Sequence, residues 1–454
     1  MREGILIKNG IVLTVNSGFD IYHPGYVLID GDCITAVAEG AVPNDPSIKI
    51  SKVIDANGCL VMPGMVNAHV HLFQTLLRGS APDKDLLGWL FEVAFPLYEH
   101  MQPEDVYLGT LQGIVEAIRG GATAVIDNFT VRQETEGYDG VFKAAEESGI
   151  RYKMARGYSE IAYPASLVEQ PEAIFENMEY LYRTWHGKHN GRLLLEFNPN
   201  VPWATTDETM LRVGELALKW GIGIHLHTAE SKAEVDQFIE KRGVRHVEWL
   251  EKLGILSPQC TLAHCVWISG TEIELIKNRG AKVTYNPICN MYVASGVAPV
   301  AEMLAVGIPV ALGTDGQTCN NGQEIIDLAK WAINLQKVHH RDPNIMDPKA
   351  LMRMLCNYGA QAFGQSERIG SLEVGKRADI VIVDYKNSRL CSPAQDVISS
   401  FVNYACSSDV ITVIVDGRIL MEDRKITFLD EEVLRREWNT AKKALWQRAH
   451  VKHS

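Results

Sequence analysis

The feature that most limits the fold is an alternation along the middle of the chain. Short apolar segments, CLVMPGMV, TAVIDNF, YKMARG, LLLEFNP, GIGIHLH, CTLAHCV, KVTYNP and PVALGTD, are separated by stretches such as PEDVYLGTLQGIVEAIRGG, DETMLRVGELALKWG and GTEIELIKNRG. The first set reads as strands buried on both faces, and the second repeats its apolar residues with helical spacing. Strands that alternate with helices imply a parallel sheet, and eight such units imply an α/β fold of the (β/α)8 TIM-barrel type. A doubly wound open sheet is the rival, and neither GxGxxG nor GxxxxGK[ST] is present to support it.

Both ends of the chain have a different texture. ILIKNGIVLTV, YVLIDGDCITAVAEG and KVIDANG alternate branched and polar residues, as do IGSLEVGKRADIVIVD and VITVIVDGRILMEDRKI near the other end. Asn9-Gly10, Asp30-Gly31, Asn57-Gly58 and Asp416-Gly417 read as hairpin turns. The expected organisation is a small β-sandwich made from both termini (1–58 and 365–428), a barrel over 59–364 and a C-terminal helix over 429–454.

Charge narrows the partners. Lys and Arg number 44 against 56 Asp and Glu, a net charge of −12. This argues against nucleic acid or an anionic membrane, both of which need a basic face. No run of about 18 apolar residues occurs, and the start, MREGILIKNG, lacks the unbroken apolar stretch of a signal peptide. The nine cysteines are scattered singly, which suits reduced thiols and a cytoplasmic protein.

The chemistry lies where ligand-type residues meet strand ends. His69 and His71 follow the first strand, His225 and His227 end the fifth with Glu230 three residues on, His264 ends the sixth and Asp315 ends the eighth. In a barrel the C-terminal strand ends converge on one mouth. His69 and His71, two apart on extended chain, project from one face. With His227 and Asp315 they make an N3O set suited to one divalent ion, Zn2+ first, with Fe2+ or Mn2+ as alternatives. A lone buried histidine usually just satisfies a backbone group, but four strand ends each supplying a ligand-type residue is a pattern that packing does not produce. His225 shares the face of His227 at a deeper position and reads as a supporting residue.

PGMVNAHVHL, HLHTAE, LAHCVW, YNP, GTDG and GSLEVGKRADIVIVD together resemble the amidohydrolase superfamily. The resemblance spans nearly the whole chain and is strongest to the branch with S-adenosylhomocysteine/methylthioadenosine deaminases and triazine hydrolases (atrazine chlorohydrolase, melamine deaminase). It implies a single catalytic metal held by His69, His71, His227 and Asp315, since no lysine stands at the fourth strand end to bridge a second ion. Glu230 would then be the acid that protonates a ring nitrogen, and His264 the residue that steadies the growing oxyanion. A divalent ion lowers the pKa of bound water to about 7. Asp315 can accept its proton, and the resulting hydroxide would attack an amino-bearing ring carbon and release ammonia. The resemblance also implies a homo-oligomer.

Against the nucleoside deaminases of that branch, Tyr98 stands where they carry a glutamate and Asn200 where they carry a histidine. Arg156 matches one of their arginines, but a partner for a second is missing. Gln74 and Trp89 resemble the triazine and purine-base members, and Cys319 resembles melamine deaminase. The sequence therefore predicts a small-molecule partner, with Gln74, Trp89, Tyr98, Arg156, Asn200 and Cys319 contacting it. The expected function is metal-dependent hydrolytic deamination of a purine base, pterin or triazine. The alternatives are hydrolytic dechlorination of a triazine, deamination of S-adenosylhomocysteine or methylthioadenosine, and, more remotely, a non-catalytic scaffold.

Overall fold

A computed structural model of the chain describes residues 3–40, 42, 49–80, 83–320, 322–388 and 396–450. The barrel strands are β1 (Met65–His71), β2 (Ala122–Phe129), β3 (Arg151–Gly157), β4 (Leu193–Asn198), β5 (Ile224–Thr228), β6 (Cys260–His264), β7 (Lys282–Tyr285) and β8 (Val310–Leu312). All pair in parallel in chain order. A two-residue continuation of β8, Asp315–Gly316, pairs with Val70 and His71 of β1 and closes the ring. Asn67 ties the seam, donating to Thr314 Oγ1 (2.7 Å) and Gln323 Oε1 (2.9 Å) and accepting from the Thr314 N–H (3.0 Å). The predicted helices occur at Pro103–Arg119, Asp207–Trp220 and Gly270–Arg279.

The segment read as one strand, CLVMPGMV, divides in two. Leu60–Pro63 pairs with Glu3–Leu13 and Ile380–Val383 in the terminal sheet, and the barrel strand begins only at Met65. His69 and His71 therefore lie within β1 rather than after it. Gly64 makes the crossing, where a Cβ would meet the Thr123 side chain at 2.0 Å.

The termini build one nine-stranded sheet that includes Glu3–Leu13, Ile21–Asp30, Lys49–Asp55, Leu60–Pro63, Ile380–Val383 and Val410–Val415. It curls over a core that includes Ile7, Val27, Ile29, Ile380 and Ile414, and the Ile34 N–H reaches the Lys376 carbonyl at 2.8 Å. Asp416-Gly417 is a hairpin turn, whereas Asn9-Gly10 is a bulge inside the first strand, with Asn9 at φ 63°. The helix Glu431–Arg448 lies on the barrel, where Trp446 donates to the Leu76 carbonyl and Trp438 to Thr75 Oγ1. Among the described residues no helix is long and apolar enough to cross a membrane.

Arg151, at the start of β3, fastens the sheet to the barrel. Its fully buried guanidinium donates to both carboxylate oxygens of Asp379 (2.9 and 2.8 Å) and to Asp416 (2.6 Å). Arg151→Met removes the cation and leaves two facing carboxylates, one of them buried. The expected cost is about 3–5 kcal/mol, read as a fall in the urea midpoint at unchanged m-value. A loss under about 1 kcal/mol would show that the pair does not hold the two units together.

Candidate active site

At the C-terminal mouth of the barrel, three imidazoles have their outer nitrogens engaged and their inner nitrogens converging. His71 Nδ1 donates to the Asn128 carbonyl and His227 Nδ1 to the Asn200 carbonyl (3.0 Å). Because a carbonyl can only accept, both rings carry hydrogen on Nδ1 and turn an Nε2 lone pair inward. His69 Nδ1 meets His225 Nε2 at 2.9 Å, and His225 Nδ1 lies 3.3 Å from Glu196 Oε1, which Lys153 supports through Oε2 at 3.1 Å. The carboxylate draws a proton to His225 Nδ1, so His225 Nε2 accepts from His69 and the His69 Nε2 lone pair also faces inward. His225 is thus the supporting residue that its depth suggested, in a column running from Lys153 on β3 to His69.

The inner atoms suit one cation. His71 and His227 bring their Nε2 atoms within 3.3 Å, close to the spacing of about 3.4 Å expected for two nitrogens on one tetrahedral Zn2+. Neither nitrogen carries a proton to share, and the buried His69 Nε2 has no hydrogen-bond partner. Asp315 Oδ1 stands 3.2 Å from His71 Nε2 and 3.6 Å from His69 Nε2. Burial pushes His69 and His227 well below the usual imidazole range, leaving both as neutral ligands. Three neutral nitrogens and one carboxylate form a donor set that a divalent ion completes.

Glu230 and His264 complete the mouth. Glu230 Oε2 and Asp315 Oδ2 each stand 3.6 Å from His264 Nε2. Asn290 donates to His264 Nδ1 at 3.0 Å, so the ring proton sits on Nε2, facing the two carboxyl groups. Burial, with the negative charges of Asp315 and Glu234 nearby, raises Glu230 well above the usual carboxyl range. Burial lowers His264 to about 3, so it is a neutral hydrogen-bond donor. The loops reach these positions through left-handed backbone at Asn200, Ala229, His264 and Asp315 (φ 51–72°). Each such non-glycine residue costs on the order of 1–3 kcal/mol, and such strain clusters at functional sites.

A cavity opens above this group. Trp89, Phe95, Tyr98, Tyr163, Val201 and Trp203 supply apolar wall, and Gln74, Asn200, Glu230, Glu234 and Cys319 supply polar groups. Gln74 donates to the Tyr98 hydroxyl (2.7 Å) and accepts from Thr318 (3.1 Å), and it packs so closely on Gly316 that a Cβ there would meet it at 1.8 Å. Trp89 Nε1 is a buried donor without a partner.

Of the residues predicted to contact substrate, Gln74, Trp89, Tyr98, Asn200 and Cys319 line the cavity, and Arg156 does not. Its buried guanidinium is taken up by Glu169 (2.9 and 2.6 Å) and Asn177 (3.0 Å), and it stacks on Tyr138. Arg156 is an internal ion pair. Glu234 is a lining residue that sequence reasoning missed, with one carboxylate oxygen unpartnered. Its only sequence signal is the S-x-x-E step from Ser231, which marks a helix start and not a pocket.

The amidohydrolase family model matches residues 60–420. The chain belongs to the amidohydrolase family. Among relatives, a 5'-deoxyadenosine deaminase of Methanosarcina acetivorans is 36% identical over 447 residues, covering 98% of this chain and 99% of that one. A 5-methylthioadenosine/S-adenosylhomocysteine deaminase of Pelotomaculum thermopropionicum is 36% identical over 434 residues, covering 95% and 96%. Among solved structures, an adenosine deaminase from Xanthomonas campestris with bound zinc superimposes with a TM-score of 0.90 at 27% identity, covering 98% of each chain. The zinc complex of an atrazine chlorohydrolase from Arthrobacter aurescens gives 0.89 at 23% identity, covering 96% of this chain and 100% of that one, a likeness of fold. As a member of this family, the chain is a hydrolase that uses a divalent metal.

Proposed function

We propose that this amidohydrolase deaminates an uncharged aminated N-heterocycle, with 6-aminopurine nucleosides that carry no charged 5' group as the leading class. The observation that carries the reading is a buried, proton-bearing Glu230 beside a three-imidazole, one-carboxylate set at a single barrel mouth.

His69, His71, His227 and Asp315 would hold the ion, Zn2+ by analogy with the zinc-bound neighbour. When bound, that ion makes water nucleophilic near neutral pH. The side chains do the rest. Asp315 Oδ2, which faces His264 Nε2 and accepts from Asn286 (3.3 Å) while Oδ1 faces the imidazoles of His69 and His71, takes the proton from the attacking water. Glu230 Oε2 gives its proton to the ring nitrogen beside the reacting carbon and keeps negative charge from collecting there. His264 Nε2–H stabilises the oxygen as the carbon becomes tetrahedral. Asp315 then passes its proton to the amine, the C–N bond breaks and ammonia leaves, while the hydroxyl proton of the adduct returns to Glu230 as the ring carbonyl forms, which restores both groups. The aromatic wall holds the flat ring and excludes water. Eight cysteines among the described residues are free thiols, which supports residence in a reducing compartment such as the cytoplasm. The homo-oligomer implied by the resemblance belongs to the same reading.

The cavity also favours a class of substrate. Its described lining includes Glu230, Glu234 and Asp315 but no lysine or arginine, and Arg156 is withdrawn into its own pair. The carboxylate of an amino-acid tail would be buried there without a cation. An ammonia-release screen of the zinc-loaded chain should give a kcat/KM for S-adenosylhomocysteine at least about tenfold below that for 5'-deoxyadenosine. Equal values would refute the charge argument. Ammonia from no purine, beside chloride from a chlorotriazine, would refute the deaminase reading itself.

A further inference from the structure

Two thiols on the cavity wall take no part in these proton transfers. Cys289, in the helix Pro287–Tyr292 that follows β7, and Cys319, beyond β8, both line the cavity and are 4% exposed. Ligand atoms of Cys289, Cys319 and Asp315 lie within 4.8 Å of one another. Cys319 Sγ also contacts the Gly316 carbonyl at 3.3 Å, which fixes the thiol beside the Asp315 loop. Val293 and Tyr292 pack against the pair.

Two sulfurs bound to one tetrahedral Zn2+ at about 2.3 Å sit about 3.8 Å apart, and larger soft ions spread them slightly more. The bound of 4.8 Å on the separations of the three donor atoms spans that spacing. The two sulfur donors differ in kind from the nearby nitrogen set, since soft thiolates favour thiophilic ions more strongly than imidazole does. We propose that Cys289 and Cys319, with Asp315 at the shared edge, form a second site for a thiophilic divalent cation, and that its occupation blocks the cavity. Each ion taken up displaces the two thiol protons: M2+ and two S–H groups give a bis-thiolate complex and two H+. The site requires no assumption about the reaction, because its contents can be read without turnover.

The test uses full-length protein carrying one equivalent of zinc, titrated with Cd2+. Thiolate-to-cadmium charge-transfer absorption reports sulfur ligation alone, and metal per chain is measured after gel filtration. Wild type should take up one further ion with the absorption band, and its ammonia release should fall at least tenfold as the band saturates. C33S/C406S, which removes the two more exposed thiols, should behave the same way. C289S/C319S should show no band and should hold its own starting rate under the same Cd2+, and the single variants C289A and C319A should each weaken the band if the double variant does not fold. A band that persists at full strength in C289S/C319S or in both single variants, or no band in wild type, overturns the site. A saturated band with undiminished turnover overturns the block.

Discussion

Glu230→Gln is expected to lower deaminase turnover by about 10²–10⁴-fold while the chain keeps its full complement of metal. Glutamine has the size of the acid and can still fill the space beside His264, so the cavity and the imidazole set should persist. What it lacks is a transferable proton. Burial, Asp315 and Glu234 keep the Glu230 proton in place well above the usual carboxyl range. The shift favours the acid form, and wild-type turnover should decline as pH rises through the raised value. In Glu230→Gln the residual rate should lose this alkaline limb. Steady-state ammonia release across pH, with metal measured on the same samples, decides it. Full turnover in a metal-replete Glu230→Gln protein would remove Glu230 from the proton path.

The distribution of legible and hidden features follows from the range of the forces involved. Residues at alternate positions of a strand share a face, so His69 and His71 could be paired from spacing alone, and the convergence of strand ends brings in His227, His264 and Asp315. These are local rules coupled to one topological rule. The division of CLVMPGMV between two sheets was not legible, because an apolar run looks alike in either sheet and only the pairing partners Glu3–Leu13 and Ile380–Val383 decide. Asn9-Gly10 has the composition of a hairpin turn, yet flanking pairing with Ile21–Asp30 continues past it and makes it a bulge. Arg156 was misassigned for the same reason. Its partner Glu169 lies on the following loop, and nothing in the spacing showed that the charge would be consumed before reaching the cavity. The Lys153–Glu196–His225 column needed three strands in register, which the sequence does not contain as a motif.

That column bears on the second large effect. Chelator-treated protein should lose turnover by three orders of magnitude or more and regain it with added Zn2+, since the ion accounts for several kcal/mol of transition-state stabilisation. Asp315→Ala should bind metal poorly and stay inactive after the same treatment. Stability should move with occupancy. At free metal about a thousand times Kd, binding to the native state alone adds about 4 kcal/mol, seen as a rise in Tm that Asp315→Ala does not share. The column sets how sharply this falls. Glu196→Gln takes the charge from behind His225, so the His225 proton no longer has a fixed seat and His69 is no longer held as an inward-facing Nε2 ligand. Metal affinity, by competition with a chromophoric chelator, should weaken by about 10–100-fold. Turnover at saturating Zn2+ should largely recover, because the reacting groups themselves are untouched. A Glu196→Gln protein with wild-type affinity would mean that the packing around β1 and β5 alone orients His69, and that the buried chain from Lys153 serves the barrel core instead of the metal.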